Sequence, residues 1–422
     1  MADESGVAGR SRHSRWSVVG SGEGGTRIAS LYFSKTQHPS VGNRILLLNS
    51  NPGDLANILD ELRIRLDDSA GSDRIDEISK GHVVEFGEHR GAGNLFTQGE
   101  DYAVMHFETN IRRKMLAVGI GQGDALISLT TLGGGTGNGS VPYIIRSMKS
   151  KGGLGLDKVH HFAVAAWPFE NEDKHRHFNA VAGLSRLLMQ EDTGMPNADW
   201  VMLCDNSRLA SLGDAGEAAE ADFYDINRRI ADALDLLTAG GRRAVNVIDV
   251  EDLIRLPGKM GLTHFTCGLS LGNDPDIVEL ELALDFALKE SFVEVDPKSV
   301  LVAYLIVRVP EELLGKHDFT AKGVLDTFTK WQRKNLSTVV GMSSLTVSDQ
   351  DSSGFDVLLV LGGFDLRPLL RKPLKHFDQV SQMLTLQPGN EELGRRLKKI
   401  KANLDGYLDR VKRAQALMKE AK

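Results

Sequence analysis

Only two cysteines occur in the 422 residues, Cys204 and Cys267, each inside an apolar run. A disulfide framework is therefore excluded, and a reducing, cytoplasmic setting fits. Long hydrophobic runs are also lacking. The longest, 300–307 and 357–361, fall well short of the ~20 residues of a membrane-spanning helix, so an integral membrane protein is not expected. Residues 1–14 have no apolar stretch of the signal-peptide kind and read as a disordered start. Positive charge is not in excess. Fifty Lys+Arg against 57 Asp+Glu give a net charge of −7, so no specific nucleic-acid partner is expected. No G-x-x-x-x-G-K-[ST] sequence occurs, which removes the P-loop NTPases. What is present is an ordinary globular balance, 41% hydrophobic and 25% charged, with 44 glycines gathered into a few clusters.

From residue 15 to about 217, apolar runs at 17–19, 44–48, 82–86, 126–129, 161–165 and 200–204 alternate with helical periodicity at 27–33, 52–60, 97–118, 141–150 and 173–190. Continuous apolar strands separated by helices predict an α/β fold with a doubly wound parallel sheet. A long central helix is predicted over 218–241, closed by Gly240–Gly241. Residues 242–370 mix helices (277–289, 321–334) with strands (300–309, 338–347, 355–362), which predicts a second, smaller α/β domain with a mixed sheet. Residues 371–422 read as a basic amphipathic helical tail. Over 389–422 it carries ten basic and five acidic residues, with a heptad seam of Leu393, Leu397, Ile400, Leu404, Tyr407, Val411, Ala414 and Met418. Docking on the acidic body, pairing with another chain and contact with an anionic surface all fit that pattern.

Three glycine clusters follow predicted strands. Gly20-Ser21-Gly22-Glu23-Gly24-Gly25-Thr26-Arg27 contains G-x-G-x-x-G, so by itself it allows a dinucleotide site. Gly133-Gly134-Gly135-Thr136-Gly137-Asn138-Gly139 places five glycines in seven positions, each costing about 1 kcal/mol against Ala in ordered structure. Such a run suits a nest of N–H groups around phosphate oxygens. The third, Gly91-Ala92-Gly93-Asn94, fits either a plain turn or a loop closing over a terminal phosphate. The oxidoreductase reading expects an acidic residue where the second strand ends, yet that strand ends Asn49-Ser50-Asn51.

These motifs, in this order, resemble the tubulin/FtsZ superfamily over nearly the whole chain. The 133–139 run is similar to the family's G-G-G-T-G-[ST]-G signature, with Asn138 in the usual Ser/Thr place. Gly20–Arg27 resembles the first nucleotide loop, Asn49-Ser50-Asn51 the end of the second strand, and Gly91–Asn94 the loop facing the γ-phosphate. Pro168-Phe169 with Glu172 and Arg176 resembles the sugar-side loop. Asn206-Ser207-Arg208-Leu209, with Phe223 and Asn227, resembles the guanine-reading positions. The resemblance implies GTP/GDP as ligand with Mg²⁺, and head-to-tail self-assembly into a filament. It implies GTP hydrolysis by acidic groups that the next subunit supplies, in cell division or cell-shape control.

Those acidic groups match Asp249 and Asp252. The family's asparagine does not match: Val247 takes its place, with Asn246 one residue early. That departure leaves a second reading, a non-hydrolysing GTP-binding regulator or structural partner of a related filament, with the 389–422 tail as an adaptor surface. Metal binding by His160-His161 or His175-x-His177 is not expected, since no ligand spacing supports it. The Gly22–Ile28 pattern is closer to the archaeal CetZ group and the Asn206/Asn227 pair resembles tubulin's, while the strands of 300–309 and 361–364 are similar to FtsZ; the resemblance implies a divergent prokaryotic, FtsZ-like or CetZ-like member.

Overall fold

The computed structural model describes residues 14–35, 40–65, 69–151, 155–212, 223–238, 244–348 and 353–420. The expected disordered start lies outside these apart from Ser14, as do 218–222 and the Gly240–Gly241 stop of the central helix.

Eleven strands form one sheet among the described residues: β1 Trp16–Ser21, β2 Ile45–Asn49, β3 Val83–Glu85, β4 Ala125–Thr131, β5 His160–Trp167, β6 Trp200–Asp205, β7 Ala244–Asn246, β8 His264–Asn273, β9 Val302–Val309, β10 Val340–Val347 and β11 Phe355–Gly362. Their order is β3-β2-β1-β4-β5-β6-β8-β11-β9-β10-β7. The first six are parallel, as their unbroken apolar runs require. Alternate residues of one strand enter separate cores: Val18, Ile45, Leu47 and Ile127 on one face, Val19, Leu46, Leu48 and Leu126 on the other. Helices thus cover both faces, as a doubly wound sheet demands.

The second half is mixed, as predicted: β11 is antiparallel to β8 and β9, while β9 and β10 run parallel. It does not form a sheet of its own. Strand β8 pairs with β6 through Val201↔His264 and Met202↔Phe265, so the two halves share one sheet. The sequence reading missed β8 because its Thr, Gly, Ser and His residues interrupt the apolar run. The central helix, Phe223–Thr238, buries Ile226, Ile230, Leu234 and Leu237. Its Asp235 bonds Arg308 of β9 at 2.5 Å, and Thr238 meets the Tyr32 hydroxyl at 2.8 Å.

The tail forms two helices, Arg367–Thr385 and Glu391–Glu420. Its seam faces the chain's own body: Leu397, Ile400, Leu404, Tyr407 and Val411 are buried, and Leu393, Ala414 and Met418 pack beside them. Of the three readings the heptad allowed, docking on the body is the one observed. Charge locks it in place. Arg396 pairs with Glu100 and Glu191, and the almost wholly buried Arg186 pairs with the same two carboxylates at 2.9 and 2.8 Å. Burial alone would raise the Glu191 carboxyl, but Arg396 and Arg186 override it and hold it at about 2. Deeper in, the Tyr407 hydroxyl accepts from the backbone N–H of Thr263 (3.0 Å) and His264 (3.1 Å) and lies 2.7 Å from His264 Nδ1. His264 Nε2 faces the Phe364 carbonyl at 2.8 Å and so carries the proton, leaving Nδ1 to accept from Tyr407.

Tyr407→Phe leaves those groups unpaired in a dry site and is expected to lower unfolding free energy by about 1–3 kcal/mol, read from urea titration. Acid should destabilise the protein in a defined window. Burial lowers His264 to about 4 and His161 to about 3, so the unfolded chain takes up protons below about 6.5 that the folded chain refuses. Stability is then fully present above about 6.5 and falls with pH. Glu191 adds its own loss as pH drops from 4.5 towards 2. Asp205, which burial raises to about 6, offsets part of the change. Urea midpoints at pH 7 and 4.5 measure the net slope.

Candidate nucleotide site

The C-terminal ends of β1, β4, β5 and β6 open onto a cavity of about 1000 Å³. Helices Gly22–Lys35, Thr136–Lys151, Lys174–Leu188 and Asn206–Ser211 start from those ends. A crevice at the carboxyl edge, where the order passes from β1 to β4, is where an open α/β sheet accommodates ligands. Unpaired N–H groups at helix starts give it a positive potential without using side-chain charge. Side-chain charge is largely spent. Arg27 pairs with Glu61 and with Glu23 (3.1 Å), and Arg176 pairs with Glu172 (3.0 Å).

The wall brings together Gly24, Arg27, Gly133, Gly134, Glu172, Arg176, Asn206, Phe223 and Asn227 from the sequence-predicted set. Phe223 meets Phe169 edge-on at 5.5 Å, making an apolar slot beside the Asn206 and Asn227 amides. Glu172 also accepts from the Phe169 N–H (2.9 Å), which sets the 168–172 turn. One end of the cavity can therefore take a flat, amide-reading base, and the other an anion.

Several predicted residues lie behind this wall. Thr26 is fully buried and donates to the Gly22 and Glu23 carbonyls, each at 2.8 Å, so its side chain closes a helix turn. Asn138 is likewise buried, donating to the Leu132 (2.5 Å) and Asn179 (2.7 Å) carbonyls; its side chain braces the loop from inside. Asn49 is buried and accepts from the Asn51 N–H at 3.3 Å. Gly20, Gly25, Gly135, Gly137 and Gly139 face backbone instead of the cavity. A Cβ on Gly137 would strike Ser21, and one on Gly139 would strike Phe96 and Glu100. Much of the glycine run thus serves close packing of helix Thr136–Lys151, a demand the phosphate-nest reading did not include. In the third cluster Gly91, Gly93 and Asn94 have φ of +74°, +54° and +56°, and Ala92 is buried beside Gly135. Thr136 joins the second cluster to the end of β2 through Ser50 Oγ at 2.6 Å.

Asp249 and Asp252 lie at the opposite edge of the sheet. Asp249 caps helix Val250–Lys259, accepting from the Asp252 N–H (2.9 Å) while Asp252 accepts from the Asp249 N–H (3.2 Å). Asp249 lines a second hollow beside Ser14, Asp124 and His160, where β1, β4 and β5 begin. Eight residues of β5 put about 25 Å between the two edges. Burial, with the charges of Asp249 and Glu251, raises the Asp252 carboxyl. Asn246 is committed elsewhere: it donates to the Ser343 carbonyl (2.7 Å) and accepts from the Leu345 N–H (2.9 Å), pinning β7 to β10.

No family model matches the chain. The cell division protein FtsZ 1 of Halobacterium salinarum is 26% identical over 215 residues, 50% of this chain and 47% of that protein. The chain spans about half the length of the curated relatives it matches. Among solved structures, CetZ1 from Haloferax volcanii, a GDP-bound monomer, superposes with a TM-score of 0.67 at 16% identity, over 87% of this chain and 99% of that one. CetZ2 from the same organism, a GTPγS-bound protofilament, gives 0.64 at 17% identity over the same shares. The chain has the fold of these CetZ structures and, over about half its length, is similar in sequence to archaeal FtsZ proteins.

Two features of the site were missed from sequence. Asn179, buried on helix Lys174–Leu188, bonds two of the glycine clusters. Glu61 pairs with Arg27 across the cavity rim. No local motif marks either residue, because each acts across more than 30 positions of sequence. Asn246→Ala should cost about 1–2 kcal/mol in thermal or urea unfolding, because both amide partners lose their bonds together. An unchanged midpoint would release Asn246 for a role outside the fold.

Proposed function

We propose that this chain binds guanine nucleotide in the large cavity and assembles head-to-tail, so that Asp249 and Asp252 of one copy meet the nucleotide of the next. The observation that carries the reading is the separation of the two parts. The cavity opens at the carboxyl edge of the sheet and the acidic turn sits at its amino edge. One copy cannot join them, whereas a translated second copy can, and heterologous contacts of that kind build open filaments. The protofilament state of CetZ2 supports the same arrangement.

The residues present fit the proposed ligand. Helix starts at Gly22 and Thr136 offer N–H donors to phosphate oxygens, with Gly24, Gly133 and Gly134 leaving room for close approach. The amides of Asn206 and Asn227 each present a donor and an acceptor, as guanine readout requires, and Phe223 with Phe169 covers an apolar ring face. Among the described residues, no group of three His, Cys, Asp or Glu could hold a metal ion by itself. A Mg²⁺ ion would therefore be held chiefly by phosphate oxygens, where it would supply positive charge. Asp252, with its carboxyl raised, suits orienting an attacking water or accepting its proton.

Phosphate release from GTP should rise faster than linearly with protein concentration, with light scattering appearing at the same threshold. Asp249→Ala or Asp252→Ala should abolish release while leaving nucleotide affinity within twofold. Constant specific activity on dilution to single subunits would overturn the shared site.

One observation favours a second reading, a filament partner that binds GTP without turnover. Asn246 is tied to β10 and Val247 has no polar atom on its side chain, so no asparagine is free at that turn. Scattering without phosphate release in the native chain, and release gained in Val247→Asn, would select this reading.

A further inference from the structure

The base end of the cavity is held by a helix that does not line it. Helix Arg367–Thr385 belongs to the tail and packs along helix Lys174–Leu188, with Phe377 stacked on Phe178 at 5.2 Å. Lys372 and His376 lie one helical turn apart and both reach towards the 168–172 turn. Lys372 Nζ meets the Glu170 carbonyl at 3.3 Å and Glu170 Oε1 at 3.1 Å, an exposed pair that adds little hold. His376 reaches further in, through a second histidine. His177 is buried near the start of helix Lys174–Leu188. Its Nε2 lies 3.0 Å from the Phe169 carbonyl, and its Nδ1 lies 2.8 Å from His376 Nδ1.

Chemistry fixes where the protons sit. A carbonyl only accepts, so His177 Nε2 carries a proton and donates it to Phe169. In a neutral imidazole Nδ1 is then the lone-pair nitrogen, and the proton between the two rings belongs to His376. The rings are parallel to within 4° with centroids 5.0 Å apart. Their facing nitrogens are closer than stacked ring faces can approach, so the rings meet edge to edge, as an N–H···N bond requires. Two bonds in series thus run from the tail helix to Phe169. That residue is the cover of the base slot: its ring meets Phe223 edge-on at 5.5 Å, and its N–H donates to Glu172 at 2.9 Å. The next N–H, of Glu170, donates to Ser207 Oγ at 2.8 Å, beside the base-end amide of Asn206.

We propose that His376 is a positioning residue for the base end of the cavity: acting through His177, it lets the tail helix set how firmly the Phe169 turn grips a nucleotide. The proposal rests on the guanine-nucleotide reading above. Lifting helix Arg367–Thr385 from the body then loosens the ligand at its base. By linkage, a bound nucleotide tightens the helix by the same factor. The base is common to GTP and GDP, so the device acts on both alike and leaves the choice between them untouched.

The test compares His376→Ala, His376→Asn and Asp378→Ala in the full chain. Asn carries an N–H donor at the reach of Nδ1 and should restore the bond that Ala removes. Asp378 is the control: it points to the other side of the same helix, where it holds Lys401 at 2.6 and 2.7 Å. Calorimetric affinities for GDP and GTPγS are expected to fall together by about fivefold in His376→Ala, and to stay within twofold of the native chain in the other two. Amide exchange without nucleotide should quicken over 168–172 in His376→Ala only. Unaltered affinities in His376→Ala, an equal loss in His376→Asn or in Asp378→Ala, or a changed ratio of GTPγS to GDP each overturn the proposal. If His376→Ala does not fold, His376→Phe, which keeps a ring and lacks the donor, takes its place with the same expectations. A native chain that binds neither nucleotide overturns the guanine-nucleotide reading and the control of its grip together. Amide exchange then tests the brace separately: faster exchange at 168–172 supports it, and unchanged exchange removes it.

Discussion

The seam at His264 is the point on which the two halves of the molecule turn. Strand β8 enters the sheet beside β6 over two residue pairs, and among the described residues this is the strand pairing through which the parallel half meets the mixed half. A junction so brief is held from outside. Tyr407, arriving from the far end of the chain, bonds the backbone of Thr263 and His264 and the His264 ring, and the ring is fixed in turn by the Phe364 carbonyl. The central helix crosses the same region, tied to β9 through Asp235 and to helix Gly22–Lys35 through Thr238. Buried polar groups of this kind specify one arrangement because any other leaves them unpaired in a dry environment.

From that rigidity follows the character of the cavity. Its two arginines are neutralised by carboxylates, so its attraction for anions comes from helix starts aimed by the strands. Such a field cannot be rearranged by rotamer changes; it moves only when the backbone does. The same backbone is packed closely enough that Gly137 and Gly139 could not be replaced without displacing Ser21, Phe96 or Glu100. Arg186 continues the linkage, donating to the Asn138 and Gly139 carbonyls at 3.3 Å while pairing with the carboxylates that hold Arg396 of the tail. The 133–139 turn and the tail helix are therefore neighbours in one ion network.

Sequence made the parallel half legible because buried parallel strands are continuous apolar runs, and all six of its predicted strands overlap observed ones. It failed where composition is ambiguous. Strand β8 is broken up by Thr, Gly and Ser. Helix Ser69–Gly81 is polar, and helix Arg367–Thr385 begins four residues before the predicted 371–422 tail. Sequence motifs in order did pick out Gly24, Gly133, Gly134, Asn206 and Asn227, which line one cavity. The split between glycines that face the cavity and those that face backbone was not, because it depends on which helix lies behind. Nor could spacing reveal that Asn138 and Thr26 turn inward, or that Asn179, 85 residues from Asn94, joins two turns.

The distance between cavity and acidic turn is a ruler built from strands. Any stack of this chain that brings Asp252 to a neighbour's cavity takes its axial repeat from the height of the sheet, not from surface side chains. Two residues added to every strand of the parallel half would lengthen that repeat by about 6–7 Å and break register with every unaltered copy. Copies whose strands differ in length would be excluded from a common lattice by geometry, before any affinity between them is considered.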